Sequence, residues 1–287
     1  MRLKGIKRFH YARDVEEALS LQAAYGDRGA LIAGGLDLAW FGYTLEGLID
    51  ITGIGLSYVR EENGTLRVGA TTTLTEVLES GPARRYLGGF LPEVLRQVAV
   101  PPLRNQATLG GAAVSAHPWG DTPTALVVLG AQARWADGAG EHRAPVEELW
   151  ADPAYRRLMK RALLLELSFP AWEGGFAFEK VTRSAYDVAL LNAAAGIGLA
   201  DGEIAWARVV VGATPHRASR LTAVEELLVG REPEEGLWRE VRELVPTQIA
   251  VASDKRASAD WRREVAGPVV ARVVAEAARR ATGGGHG

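Results

Sequence analysis

The sequence predicts an α+β protein in two parts, and three features of its 287 residues carry that prediction. Short apolar strands, loops and helices alternate as far as about residue 170. A strongly apolar pattern with tight turns then indicates an antiparallel sheet. A long amphipathic helix closes the chain.

Taken in order, Asp14 with Glu17 makes a capping-box start, and "VEEALSLQAAY" continues at helical spacing. "GALIAGG" reads as a short buried strand ending in a glycine pair, and "GLIDIT" as a second strand. "GTLRVGATTTL" is a strand that passes into a helix at Thr73, with Glu76 as capping partner. This close alternation predicts an α/β or α+β layer with at least some parallel pairing. "LPEVLRQVAV" is a helix stopped by Pro101 and Pro102. The stretch "LRNQATLGGAAVSAHPWGDTP" is a loop carrying a second glycine pair, and "PTALVVLGA" a helix with Pro123 in its first turn. "ARWADGAGEHRA" is a hairpin turning on Asp137 and Gly138, and "RALLLELSFP" a strand closed by proline. Residues 1–170 are expected to form one domain. Residues 171–281 form a second α+β domain, in which "FAFEKVTRS" and "VALLNAAAGIGLADGEIAWARVVVGA" build an antiparallel sheet turning at Asp201-Gly202. "TAVEELLVG" is a helix ended by Gly230. The final helix is "ADWRREVAGPVVARVVAEAARRA", with a bend expected at Pro268, and residues 282–287 are a disordered tail.

Composition narrows the chemistry. A net charge of -2 with no basic stripe argues against nucleic acid as a partner. No apolar run reaches the roughly 18 residues of a membrane span, and no signal peptide is visible, so a cytoplasmic location is expected. With no cysteine, the chain has no disulfide, no thiolate nucleophile and no cysteine-held iron–sulfur cluster of its own. Its five histidines are scattered without metal-ligand spacing. No metal site and no catalytic base are expected, so redox chemistry here needs a bound organic cofactor.

Each glycine pair by itself reads first as a plain turn. Two together allow more, because glycine permits positive φ and lets successive N–H groups approach an anion such as a diphosphate. Neither loop is a G-x-G-x-x-G fingerprint and no Walker lysine follows. The pattern favours a nucleotide held by two separated loops over a dinucleotide crevice.

In their order these segments resemble the flavin-binding subunit of the molybdenum hydroxylases, the xanthine dehydrogenase and aerobic carbon monoxide dehydrogenase family. "AGGLDL" is similar to that family's "AGGTDL". "LIDITGI" and "LRVGATTTLTEV" resemble its strand–helix segment. "LRNQATLGGA" followed by "GDTP" resembles its "IRNRGTIGGN" and Asp-x-Pro. "FEKVTRSAYDVA" and the last helix also have counterparts. The resemblance implies that residues 1–170 are a FAD-binding domain of the vanillyl-alcohol oxidase / p-cresol methylhydroxylase type with two subdomains dividing near 55–60, followed by a C-terminal α+β domain.

It further implies FAD as cofactor. Ala33, Gly34, Gly35, Leu36 and Asp37 would wrap the diphosphate, with Thr108, Gly110 and Gly111 from the second loop. Asp121 would stand near the ribose or ribityl chain, and Leu165 and Lys180 near the flavin. Leu36 replaces a usual Thr or Ser, Ala112 a usual Asn, and His117 a common acid, which weakens the expected hold on FAD. The implied work is electron relay from the iron–sulfur clusters of a partner chain, fed by a large molybdopterin subunit, to an acceptor that is NAD or a quinone. The chain would thus be one part of a hetero-oligomer. Rival readings are a stand-alone FAD oxidoreductase and a member that has lost FAD and serves in assembly or binding.

Overall fold

The computed structural model describes residues 3–283. The chain is α+β and divides into two compact units, each drawn from separated segments. The first holds the segment to Ala83 with Val100–Ser115 and Gly130–Pro170; the second holds Arg84–Ala99, Ala116–Leu129 and the segment from Ala171 onward.

The first unit has two sheets. β1 (Arg8–Tyr11), β2 (Gly29–Ile32) and β3 (Gly47–Asp50) form a three-stranded sheet in the order β1-β3-β2, parallel throughout. The expected parallel pairing is therefore present. β2 lies at an edge and is half-buried rather than buried along its length, because it has a neighbour on one side only. β4 (Val59–Glu62), β5 (Thr65–Gly69), β6 (Gln132–Asp137), β7 (Gly140–Pro145) and β8 (Leu163–Phe169) form an antiparallel sheet in the order β4-β5-β8-β6-β7. Every residue of the central β8 is buried. Ile49 and Ile51 meet Leu163 and Leu165 in one apolar cluster, with Ala18 from the Val15–Tyr25 helix. The burial of these aliphatic side chains is the main force joining the two sheets.

Local capping chemistry acts much as the sequence indicates. Thr73 and Glu76 make a complete capping box on the Leu74–Glu79 helix. Asp14 caps the Val15–Tyr25 helix through Glu17 N–H, but the Glu17 carboxylate accepts instead from Arg13 N–H at 2.8 Å. Asp137 and Gly140 are register partners, so the β6–β7 loop proper is Gly138-Ala139, one residue beyond the expected turn.

Two segments differ from expectation. The Phe90–Arg96 helix ends before the prolines, and Pro101 and Pro102 open a new turn, Pro101–Arg104. Proline is well suited to a first helical turn, where its missing N–H costs nothing. "LGGAAVS", expected to be loop, is the Leu109–Ser115 helix.

In the second unit β9 (Gly175–Val181), β10 (Leu191–Ala200), β11 (Glu203–Gly212) and β12 (Ser219–Arg220) form an antiparallel sheet in the order β12-β11-β10-β9. Asp201 and Gly202 turn between β10 and β11 with φ of 53° and 87°, the left-handed pair that a two-residue hairpin demands. The Ala259–Gly283 helix packs on this sheet through Val269, Val270, Val273 and Val274 and contains Pro268 within its span. The Glu235–Gln248 helix was missed from sequence, although Leu237, Val241 and Val245 repeat at helical spacing and are all fully buried. Of the expected tail, residues 282–283 continue the last helix and 284–287 lie outside the described residues.

Candidate functional site

In the first unit the chain leaves β2, passes Ala33 and Gly34, and enters the short Leu36–Phe41 helix through Gly35. Gly35 has φ 67° and ψ 2°, the left-handed conformation for which glycine carries no Cβ penalty. Among the described residues, the N–H groups of Gly34, Gly35 and Leu36 have no acceptor. Three consecutive amides around a left-handed residue make the concave donor set that binds anions. The site also brings the two glycine segments together. A Cβ on Gly34 would lie 1.9 Å from the Gln106 carbonyl oxygen, so only glycine permits this crossing. The Ser115 hydroxyl donates to the Asp37 carboxylate across the same pair of segments.

The second pair is built differently. Gly110 and Gly111 lie in the first turn of the Leu109–Ser115 helix, and neither has positive φ. Their N–H groups are taken: Gly110 donates to Ala70 O at 3.1 Å, and Gly111 to the Thr108 hydroxyl at 3.0 Å. Leu109 N–H to Thr72 O and Leu74 N–H to Ala107 O complete the seam between this segment and the end of β5. At the other end of the helix, Trp150 Nε1 and the Tyr155 hydroxyl donate to Ala113 O, and Tyr155 also reaches Val114 O. Gly110 is glycine because a Cβ would meet Ala70 O at 2.4 Å. Gly111 is exposed. The expected second nest of free donors is therefore absent: this pair supplies close packing and an uncluttered surface.

Leu165 is 2% exposed, and its carbonyl accepts from Ala70 N–H. It belongs to the core behind the seam.

In the second unit, Asp121 opens the Asp121–Val128 helix and Lys180 lies on β9. They form an ion pair at 2.7 Å with side chains 5% and 4% exposed. Asn192 Nδ2 donates to the other Asp121 oxygen at 2.7 Å, and Lys180 Nζ donates to Gln97 O at 3.0 Å. Burial pushes the Asp121 carboxyl above its ordinary value, against the opposing pull of Lys180. His117 stacks on Trp119 with ring centroids 4.7 Å apart, and Arg256 lies over the same indole.

Residues 4–172 match the family described as the FAD binding domain in molybdopterin dehydrogenase, and residues 176–277 match the CO dehydrogenase flavoprotein C-terminal domain. The chain belongs to the FAD-binding subunit family of the molybdenum hydroxylases. Members similar to it include the caffeine dehydrogenase subunit beta of Pseudomonas sp. (strain CBB1), 31% identical over 282 residues and 95% of each chain. The carbon monoxide dehydrogenase medium chain of Hydrogenophaga pseudoflava is 25% identical over 93% of this chain and 95% of its own. Among solved structures, carbon monoxide dehydrogenase from Hydrogenophaga pseudoflava superposes with a TM-score of 0.90 at 26% identity, covering 98% of each chain. Quinoline 2-oxidoreductase from Pseudomonas putida 86 gives 0.90 at 26%, covering 98% of this chain and 99% of that one. Within this family of oxidoreductase subunits, the residues that sequence reasoning overlooked are those that hold the glycine segments in place: Ala70, Gln106, Ser115, Trp150 and Tyr155. Their roles depend on contacts far along the chain.

Proposed function

We propose that the first glycine segment holds the FAD diphosphate, through the N–H groups of Gly34, Gly35 and Leu36, with Ala33 and Asp37 flanking them. The carrying observation is the left-handed Gly35 with three consecutive amides lacking an acceptor. The cofactor fits this cradle, since a dianionic diphosphate needs several donors that approach without side chains in the way. Thr108 contributes its own hydroxyl proton, because its oxygen already accepts from Gly111. Gly110 and Gly111 contribute clearance rather than donors, and Leu165 backs the seam from the core. Asp121 is assigned to the ribose or ribityl chain of the cofactor, and Lys180 to the flavin. Leu36 and Ala112 offer no side-chain donor, so the hold on FAD rests on backbone.

When bound, FAD supplies the redox chemistry. The protein's own share is to bind, orient and electrostatically bias it. We read the chain as the relay subunit of a hetero-oligomer with an iron–sulfur chain and a large molybdopterin chain, passing electrons to NAD or a quinone. The absence of cysteine supports this division of labour, because the clusters must then sit on another polypeptide. We likewise read residues 1–170 as a FAD domain of the vanillyl-alcohol oxidase type with subdomains dividing near 55–60, and residues 171–281 as the C-terminal domain.

Fluorescence titration of the full chain tests the cradle. FAD and ADP, which share the diphosphate, should bind, and FAD should bind clearly tighter than FMN, which has one phosphate. Equal affinity for FAD and FMN would overturn the diphosphate assignment.

A further inference from the structure

The Asp121–Lys180 pair is held in place by a further buried network centred on Asn192. Asn192 is fully buried on β10, directly opposite Lys180 on β9 and Gly212 on β11. The Thr124 hydroxyl hydrogen-bonds Asn192 Oδ1 at 2.8 Å. The Asn192 amide donates to Asp121 Oδ1 at 2.7 Å and to Gly120 O at 3.3 Å. These partners fix which way the amide points, because a flipped amide would set its oxygen against the carboxylate. Gly212 leaves the space: a Cβ there would lie 2.3 Å from Thr124 Oγ1 and 2.4 Å from Asn192 Oδ1. Thr124 and Asp121 share one helix, so the network fixes the carboxylate from both its helix and its sheet.

The consequence falls on Lys180. An ammonium has three N–H donors. Two of those on Lys180 go to Asp121 Oδ2 at 2.7 Å and Gln97 O at 3.0 Å. Among the described residues the third has no acceptor, and its direction is set by the other two. A long lysine stem has many rotamers, and a carboxylate that is itself immobile selects one of them.

We propose that Asn192, oriented by Thr124 and given room by Gly212, is a positioning residue for Lys180, acting through Asp121, and so biases the bound flavin toward its reduced state. This rests on the assignment of Lys180 to the flavin end of FAD. A fixed cation beside a group that gains negative charge on reduction favours the reduced form. One that wanders among rotamers favours it less, because the field is no longer preorganised.

The test compares the full chain's dissociation constants for oxidised FAD, reduced FAD and ADP. Asn192→Leu, which removes both amide groups at similar size, should leave ADP binding unchanged. Its preference for reduced over oxidised FAD should fall about tenfold, equivalent to about 30 mV in a two-electron potential. Lys180→Met should lower the preference at least as far, and the double variant should match Lys180→Met alone. That non-additivity separates positioning from a general loosening of the fold. Thr124→Val loses one hydrogen bond and should shift the ratio in the same direction by less; it carries the test where Asn192→Leu does not fold. An unchanged ratio in Thr124→Val and Asn192→Leu, or effects that add to that of Lys180→Met, overturns the inference alone. FAD binding with no change of ratio in Lys180→Met overturns both the inference and the Lys180 assignment, leaving the cradle intact. An unmodified chain that binds neither FAD nor ADP overturns the parent reading and the inference with it.

Discussion

Gly34-Gly35 and Gly110-Gly111 look alike in sequence and behave oppositely in the fold. The first pair holds one left-handed residue and a run of unsatisfied amides. The second lies in helix with its amides already bonded. A glycine pair is thus consistent with two unrelated needs: a conformation that other residues resist, and a contact too close for a Cβ. Only the first leaves donors for a ligand. The second determines where the first can stand, because the segment it anchors carries Gln106 against Gly34.

Substitutions can break or sharpen this contrast. Gly110→Val should have the largest effect on the fold, about 3 kcal/mol or more from overpacking against Ala70, measured as loss of stability without FAD. A Gly110→Val chain as stable as the parent would remove the packing account. Gly34→Ala drives a Cβ toward Gln106 O and should cost about 2–3 kcal/mol while weakening FAD roughly tenfold, since the two segments must part. Calorimetry with and without FAD measures both. Gly35→Ala should cost about 1–2 kcal/mol of apo stability for the left-handed conformation, and should also weaken FAD binding, the same calorimetry reading both. Gly111→Ala should change stability by less than about 1 kcal/mol, the gain in helix propensity offsetting a 2.9 Å approach to Thr108 Oγ1. A collapse of the apo fold in that variant would show that the second pair needs glycine at both positions.

A last effect, absent at neutral pH, sets where the series is compared. Asp254 is held down to about 2: desolvation opposes the shift, but hydrogen bonds from Arg262 and from the Arg256 and Ala257 N–H groups outweigh it. A depressed carboxylate contributes stability that is complete above its unfolded value near 4 and lost as pH falls through its folded value. The second unit should therefore weaken between about pH 4 and pH 2, and Asp254→Asn should flatten that limb in acid titrations followed by tryptophan fluorescence. Neutral pH lies clear of it, so glycine variants measured there report on the glycines.

Sequence reasoning succeeded where the deciding partner lies within a few residues. Thr73 with Glu76 and Asp201 with Gly202 are local devices, and each forms where its residues place it. The ordered motifs also carried family membership, because they span nearly the whole chain. The local pattern could have revealed the Glu235–Gln248 helix as well, through Leu237, Val241 and Val245. Other features had no local signal. That Gly110 and Gly111 are helical follows from backbone partners on Ala70 and Thr72. That Gly34 must be glycine follows from Gln106, and that Lys180 is buried rather than solvated follows from Asp121, Asn192 and Gln97. The sequence alone determined the Thr73–Glu76 cap, the Asp201-Gly202 turn and strands such as β3, β5 and β8, since those energies arise between near neighbours. Only the tertiary structure decided which amides remain free and which charges are paired, because hydrogen-bond satisfaction and steric exclusion depend on what the fold brings alongside.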